Sequence, residues 1–63
     1  MTVKEAREAK GMTQVELAAK CGVALNTIAR LENGKMEKMV VGNLLKICKA
    51  LDYDASSLFA KND

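Results

Sequence analysis

Two cysteines and two adjacent serines are the side chains of this 63-residue chain that come nearest to nucleophilic or metal-binding chemistry. The chain contains no histidine, so Ser56 and Ser57 have no imidazole base and a hydrolase-like site is not expected. Cys21 and Cys48 alone are too few for a structural zinc site. Each lies among apolar neighbours on a predicted helix, so we expect reduced, buried thiols in a cytoplasmic protein. The composition argues against an enzyme and indicates no cofactor and no metal.

The charged residues are distributed unevenly along the chain. Residues 1–49 carry nine Lys or Arg against five Asp or Glu, a net charge of +4, whereas residues 50–63 carry a net charge of −2. This pattern fits an anionic partner on one face, but on charge alone an ordinary solvated surface is the simpler interpretation. No apolar run approaches the roughly 20 residues that cross a bilayer, so no membrane partner is expected.

The spacing of glycines, capping residues and apolar side chains predicts an all-α fold, a compact bundle of five short helices in one domain spanning residues 1–63. Helices are expected at 3–10, 14–21, about 25–33 and 40–51, followed by a short one capped by Asp54. The second helix should begin with a capping box of Thr13 and Glu16, whereas Ala24 is a poor cap for the third. The expected core comprises Leu17, Ala18, Cys21, Ile28, Leu31, Val41, Leu44, Leu45, Cys48, Leu51, Leu58 and Phe59.

The helix pair at residues 13–33 carries the functional signal. Two short helices joined by a tight turn at Gly22 match the helix-turn-helix arrangement, whose second helix enters the major groove of DNA. From Val3 to Phe59 the chain resembles the phage repressor/Cro-type (XRE-like) family of DNA-binding domains. The specific matches are T-Q-x-E-L-A from Thr13, the Gly22-Val23 turn, N-T-I-x-R-L-E-N-G-K from Asn26 and L-L-K-I-C-K-A-L from Leu44.

The resemblance implies roles for individual side chains in base reading, phosphate binding or architecture. Leu25, Asn26 and Arg30 should face the major groove, where arginine suits guanine, asparagine suits adenine and leucine suits a thymine methyl group. Phosphate contacts are implied for Thr13, Gln14, Thr27, Asn33, Lys35 and Lys38. Arg7 and Glu32 correspond to a structural ion pair that links the first and third helices.

Each of these roles has a simpler structural alternative. Thr13 is needed as a cap with or without DNA, and Gln14 is an ordinary first-turn residue. Asn26 could cap a third helix that begins late, Leu25 could pack on a neighbour, and Arg30 could pair with a carboxylate. The chain also departs from the family pattern, with Ala24 for the usual hydroxyl cap, Met39 where many relatives have proline, and a loop about one residue longer.

The resemblance implies a sequence-specific, double-stranded-DNA-binding transcriptional regulator of the bacterial or phage type, located at the nucleoid, with repression as the expected mode. A domain this small contacts few base pairs, so a homodimer on a near-palindromic operator is expected, formed in solution or only on DNA. Its surface would involve residues 35–39 or the closing helix. No small-molecule ligand is indicated. The alternative is an antitoxin-like module that holds another protein through Leu25, Val40 or Phe59.

Overall fold

The computed structural model describes residues 2–35 and 39–59. Five helices follow one another in these ranges, and neither range contains a strand: α1 Val3–Ala9, α2 Gln14–Cys21, α3 Leu25–Glu32, α4 Val41–Leu51 and α5 Ser56–Phe59. The all-α class and the order of the helices are therefore confirmed. The observed ends differ from the predicted ones by one residue at the end of α1, the end of α3 and the start of α4.

Side-chain caps begin α1 and α2 but not α3. The hydroxyl of Thr2 accepts from the backbone N–H of Glu5 at 3.1 Å, and the Glu5 carboxylate accepts from the Thr2 N–H at 2.8 Å. Thr13 and Glu16 repeat this arrangement at 3.0 and 2.8 Å, as predicted. Ala24 occupies the N-cap of α3 and provides no side-chain hydrogen bond. Helix α3 therefore lacks the side-chain acceptor that begins α1 and α2, and the N–H of Thr27 donates instead to the backbone carbonyl of Ala24 at 2.9 Å.

The core lies where α1, α2, α3 and α4 pack together. Leu17, Ile28 and Ile47 are its largest fully buried side chains, one from each of α2, α3 and α4. Partly buried side chains close the edges of this core, namely Met12, Cys21, Val23, Met39, Ala50, Tyr53 and Leu58. Because each helix contributes one apolar stripe, the opposite faces of α2 and α3 remain at the surface.

The predicted apolar stripe of α4 is wrong at two positions. Val41 is 59% exposed and Leu45 is 50% exposed, whereas Ile47, which was not predicted, is fully buried. The observed stripe has the spacing i, i+3, i+4 and i+7 that one helix face requires, and consists of Leu44, Ile47, Cys48 and Leu51. At about 100° per residue, Val41 lies about 70° and Leu45 about 110° from the centre of that stripe.

Both cysteines are free thiols, but only Cys48 is fully buried. Cys21 is half-buried at the end of α2, where its Sγ lies 3.9 Å from the carbonyl oxygen of Lys46. Lys20, Lys46 and Lys49 line a shallow cleft beside it. Removal from water raises the pKa of both thiols above the ordinary value. The expectation that Cys21 is buried therefore holds only in part.

The short last helix is held by its predicted cap. A side-chain oxygen of Asp54 accepts from the backbone N–H of Ser56 at 3.0 Å and from the Ser56 hydroxyl at 2.9 Å. Leu58 packs against the core edge as expected, whereas the side chain of Phe59 lies outside the described part of the chain. In the described ranges, every helix is too short or too polar to span a membrane.

Candidate nucleic-acid interface

A three-residue turn joins α2 to α3. Gly22 has φ +72° and ψ +31°, the left-handed conformation that glycine adopts without strain. Its N–H donates to the carbonyl of Ala19 at 3.3 Å, and the N–H of Val23 donates to that of Ala18 at 3.1 Å. A Cβ at Gly22 would meet no atom within 4 Å, so the backbone conformation, and not the available space, requires glycine. The turn separates the end of α2 from the start of α3, and the two helices pack against each other.

The outer face of α3 carries the three side chains predicted to read bases. Ile28 and Leu31 are buried on its inner face. At about 100° per residue, Asn26 and Arg30 lie on the opposite, outer face of the helix. Leu25 lies at the edge between the inner and the outer face. Leu25 is 46% exposed, and Asn26 and Arg30 are also exposed. The helix therefore separates a packing face from a face that is open to a partner.

Two of the alternatives for this face do not match the geometry. The N-cap of α3 is Ala24, so Asn26 lies inside the first turn and is not a late cap. Within residues 2–35 and 39–59, the two ion pairs are Arg7–Glu32 and Lys10–Asp52, so Arg30 has no carboxylate partner there. The side chains of Asn26 and Arg30 therefore keep their hydrogen-bonding groups available over the described part of the chain.

A hydrogen-bonded ion pair holds the end of α3 to α1. The Nε of Arg7 donates to Oε2 of Glu32 at 2.6 Å, and Nη2 donates to Oε1 at 3.1 Å. The remaining terminal nitrogen of Arg7 donates to the carbonyl of Met12 at 2.7 Å. The two side chains are only 9% and 4% exposed. This is the ion pair that the resemblance implies, in the bidentate geometry that binds a carboxylate most strongly.

The Gln14 side chain joins the same cluster. Its Nε2 donates to Oε1 of Glu32 at 3.0 Å, a contact that the sequence analysis did not anticipate. Burial favours a higher pKa for Glu32, but the hydrogen bonds from Arg7 and Gln14 and the charges of Arg7 and Lys4 outweigh it and lower the pKa. The hydrogen bond to Glu32 raises the pKa of Arg7 in turn. Glu32 is therefore ionised at neutral pH.

The residues predicted to contact phosphate lie at the ends of α2 and α3. Thr13 is exposed at the start of α2, and its hydroxyl, which accepts from Glu16, can still donate one hydrogen bond. Thr27 is half-buried in the first turn of α3, while Asn33 and Lys35 are exposed just beyond its last turn. The Lys35 N–H donates to the carbonyl of Arg30 at 2.9 Å, which closes that turn. Lys38 lies outside the described residues.

Metal chemistry has no support in the described residues. Over residues 2–35 and 39–59, no three His, Cys, Asp or Glu side chains come together in a way that could hold a metal ion. The polar side chains predicted to contact DNA are amides, hydroxyls and cations, which suit hydrogen bonding to an anionic or polar surface.

Comparison with known proteins extends these observations. Residues 3–58 match the protein family described as helix-turn-helix. An uncharacterised HTH-type transcriptional regulator of Sinorhizobium fredii (strain NBRC 101917 / NGR234), y4dL, is 38% identical over 52 residues, which are 82% of this chain. That match covers 26% of the relative, so the chain spans about a quarter of its length.

A solved structure supports the same assignment. In a complex of SinR protein and SinI protein, one chain superposes on 94% of this chain with a TM-score of 0.79 and 29% identity. The match covers 57% of that SinR/SinI chain. With the family match over residues 3–58, these likenesses show that the chain belongs to the helix-turn-helix family of XRE-like type, a family of DNA-binding domains and not of enzymes.

Proposed function

We propose that residues 1–63 form a single domain that binds double-stranded DNA sequence-specifically and acts in transcriptional regulation as a repressor. The observation that carries this proposal is the outer face of α3, where Asn26 and Arg30 are exposed and have no side-chain partners among the described residues. A helix anchored on one face with free donors on the other is what reading of the major groove requires. The family membership and the relative described as a transcriptional regulator support the same function.

In this proposal, residues at the ends of α2 and α3 bind the phosphate backbone, and the outer face of α3 reads the bases. Phosphate contacts from the start of α2 and from both ends of α3 set the register of the domain on the duplex. Their residues are Thr13, Gln14, Thr27, Asn33 and Lys35, with Lys38 as a further charge. Free N–H groups in the first turn of α2 favour an anion at the same place. Arg30 then suits guanine, Asn26 adenine and Leu25 a thymine methyl group.

A homodimer on a near-palindromic operator is part of the proposal. One α3 reaches only a few base pairs, and two copies would read half-sites about 34 Å apart, or a multiple of that distance. Val40, which is 67% exposed, directly follows residues 35–39, and the exposed Val41 and Leu45 extend this apolar surface. Adjacent exposed apolar side chains are typical of interaction sites, so we favour this surface over the closing helix. Sedimentation of wild-type and Val41→Lys proteins, with and without operator, tests it.

Selection from a randomised duplex pool, followed by fluorescence anisotropy at several salt concentrations, tests DNA binding. We expect one enriched site, a logarithmic salt slope near −0.9 for each phosphate that a lysine or arginine neutralises, and a loss of preference in Asn26→Ala and Arg30→Ala. Lys20→Ala is the matched control, because Lys20 is an exposed cation at the opposite end of α2. If no duplex exceeds non-specific binding and the two α3 variants bind like wild type, the proposal is wrong.

A protein-interaction module of the antitoxin type is the second candidate. Two observations favour it: the exposed apolar surface of Val40, Val41 and Leu45, and a solved relative found in complex with a second protein. In that case, DNA binding would be weak and without sequence preference, and the chain would remain monomeric with and without duplex. The selection and sedimentation experiments therefore separate the two functions.

A further inference from the structure

We infer that Glu32 is a positioning residue, which orients the Gln14 side chain so that one amide N–H is presented to a DNA phosphate. The inference rests on the proposed DNA-binding function and specifies how one phosphate contact is built. Gln14 is the first residue of α2, and Glu32 is the last residue of α3. A side-chain hydrogen bond of 3.0 Å joins these two helix ends.

The chemistry of the contact decides which end of the amide faces inward. An ionised carboxylate accepts hydrogen bonds and donates none, so Glu32 must meet the amide nitrogen of Gln14 and not its oxygen. The primary amide nitrogen carries two hydrogens, and one of them is directed to Oε1 of Glu32. The second N–H has no acceptor among the described residues. It remains free to donate to an anionic oxygen from outside the protein.

The carboxylate that orients Gln14 is itself held in place. Both oxygens of Glu32 accept from Arg7, at 2.6 and 3.1 Å, and Arg7 also donates to the carbonyl of Met12 at 2.7 Å. With both side chains almost fully buried, neither Glu32 oxygen is free to turn away from Gln14. A donor that is already oriented loses less conformational entropy when it binds a ligand.

The Arg7 charge also makes the arrangement compatible with DNA. A carboxylate beside a bound phosphate would repel it, but the bidentate guanidinium of Arg7 balances the charge of Glu32 at 2.6 Å. Gln14 therefore donates to the phosphate as an uncharged amide, and the Arg7–Glu32 pair behind it carries no net charge. Since Glu32 belongs to α3, the phosphate donor of α2 takes its position from the helix that reads bases.

Nuclear magnetic resonance of the wild-type protein tests the orientation directly, because Gln14 is the only glutamine in the chain. In the free protein, we expect one amide proton of Gln14 to be shifted downfield and protected from solvent exchange, unlike both amide protons of the exposed Asn33. When the selected duplex is added, the other Gln14 proton should shift. Rapid exchange of both Gln14 protons in the free protein would overturn the inference, whatever the DNA does.

DNA binding in the same samples, followed by anisotropy, separates the two possible failures. If the duplex binds and the free Gln14 proton does not move, the positioning inference fails while the proposed function stands. If no duplex binds, both fail.

A variant cycle tests the dependence of Gln14 on Glu32. The background is Arg7→Met/Glu32→Met, because replacing both members of a buried pair with apolar side chains of similar size often preserves stability. In the wild-type background, Gln14→Ala should weaken binding about tenfold at a fixed salt concentration and leave the logarithmic salt slope nearly unchanged, because an uncharged amide displaces no counterion. In the methionine background, Gln14→Ala should leave the affinity unchanged.

Lys35→Ala is the matched control for this cycle, because its proposed phosphate contact does not involve Glu32. Its effect should be equal in both backgrounds. An equal effect of Gln14→Ala in both backgrounds would overturn the inference, because the phosphate contact would then not need Glu32. Should the methionine variant not fold, the wild-type amide spectrum decides the question alone.

Discussion

Replacing Ala24 with serine is expected to stabilise the protein, because α3 lacks the side-chain cap that α1 and α2 have. In those helices a threonine hydroxyl accepts from a backbone N–H of the first turn at 3.1 and 3.0 Å. Ala24 has φ −68° and ψ 147°, close to the −82° and 168° of Thr13. A serine at this position would therefore adopt the cap conformation without strain.

The size of the effect follows from the capping energy and the length of the chain. A serine cap is worth about 1 kcal/mol more than alanine. An unfolding entropy of about 2.1 cal/mol/K per residue gives about 0.13 kcal/mol/K for 63 residues. The Ala24→Ser variant should therefore melt about 8 °C higher than the wild type. Because the first turn of α3 carries Leu25 and Asn26, less fraying there should also preserve or strengthen DNA binding.

Thermal unfolding followed by circular dichroism at 222 nm measures this difference. Ala24→Val is the matched control, because valine enlarges the exposed side chain without adding an acceptor and should raise Tm little or not at all. Thr13→Ala should lower Tm by a similar amount, about 8 °C. An Ala24→Ser variant that melts with the wild type, while Thr13→Ala still loses stability, would refute the view that the start of α3 is under-capped.

Three further predictions concern acid stability, helix ends and thiols. Because the pKa of Glu32 is lowered, its contribution to the free energy of unfolding is complete above the unfolded-state pKa of about 4.3 and is lost as the pH falls through the native pKa. Below about pH 4, Tm of Glu32→Gln should therefore decrease less steeply with falling pH than Tm of the wild type. An equally steep decrease in both proteins would contradict this. Gly22→Ala should lower the free energy of unfolding, measured in urea, by about 1–2 kcal/mol, because φ is +72° there. Asp52→Gly should raise the free energy of unfolding, because φ is +53° at that position. A change of the same sign in both would argue against left-handed strain. In a thiol titration, Cys21 should react before the buried Cys48, and fewer than two thiols after unfolding would disprove the reduced state.

The start, end and packing face of α2 and α3 follow from short-range rules, and for that reason the sequence predicts them well. Thr13 and Glu16 form a capping box wherever their spacing meets a helix start. Gly22 ends α2 because a left-handed residue is needed there. The period of Ile28 and Leu31 then determines which face of α3 remains outside.

Helix α4 shows where this reasoning is insufficient. Its 11 residues include enough apolar side chains for more than one stripe, and the tertiary packing selects the one that contains Ile47 and leaves Val41 and Leu45 exposed. The capping box of Thr2 and Glu5 has a readable spacing that the sequence analysis missed.

The cluster of Arg7, Gln14 and Glu32 shows a second limit of prediction from the sequence. The Arg7–Glu32 pair is implied by the family resemblance, since 25 residues separate its members and no local spacing rule joins them. The Gln14–Glu32 contact depends on the rotamers of two side chains that meet across the helix pair, and no pattern in the sequence specifies those rotamers.

The central claim is that α3 reads bases, and a substitution profile of the selected operator tests it most directly. Affinities of wild type, Arg30→Ala and Lys35→Ala for every single-base variant of the site would be measured at one salt concentration. The account predicts that Arg30→Ala costs about 1–3 kcal/mol and abolishes preference at one base position, whereas Lys35→Ala weakens all sites equally. A uniform loss in Arg30→Ala, with every base preference intact, would contradict it.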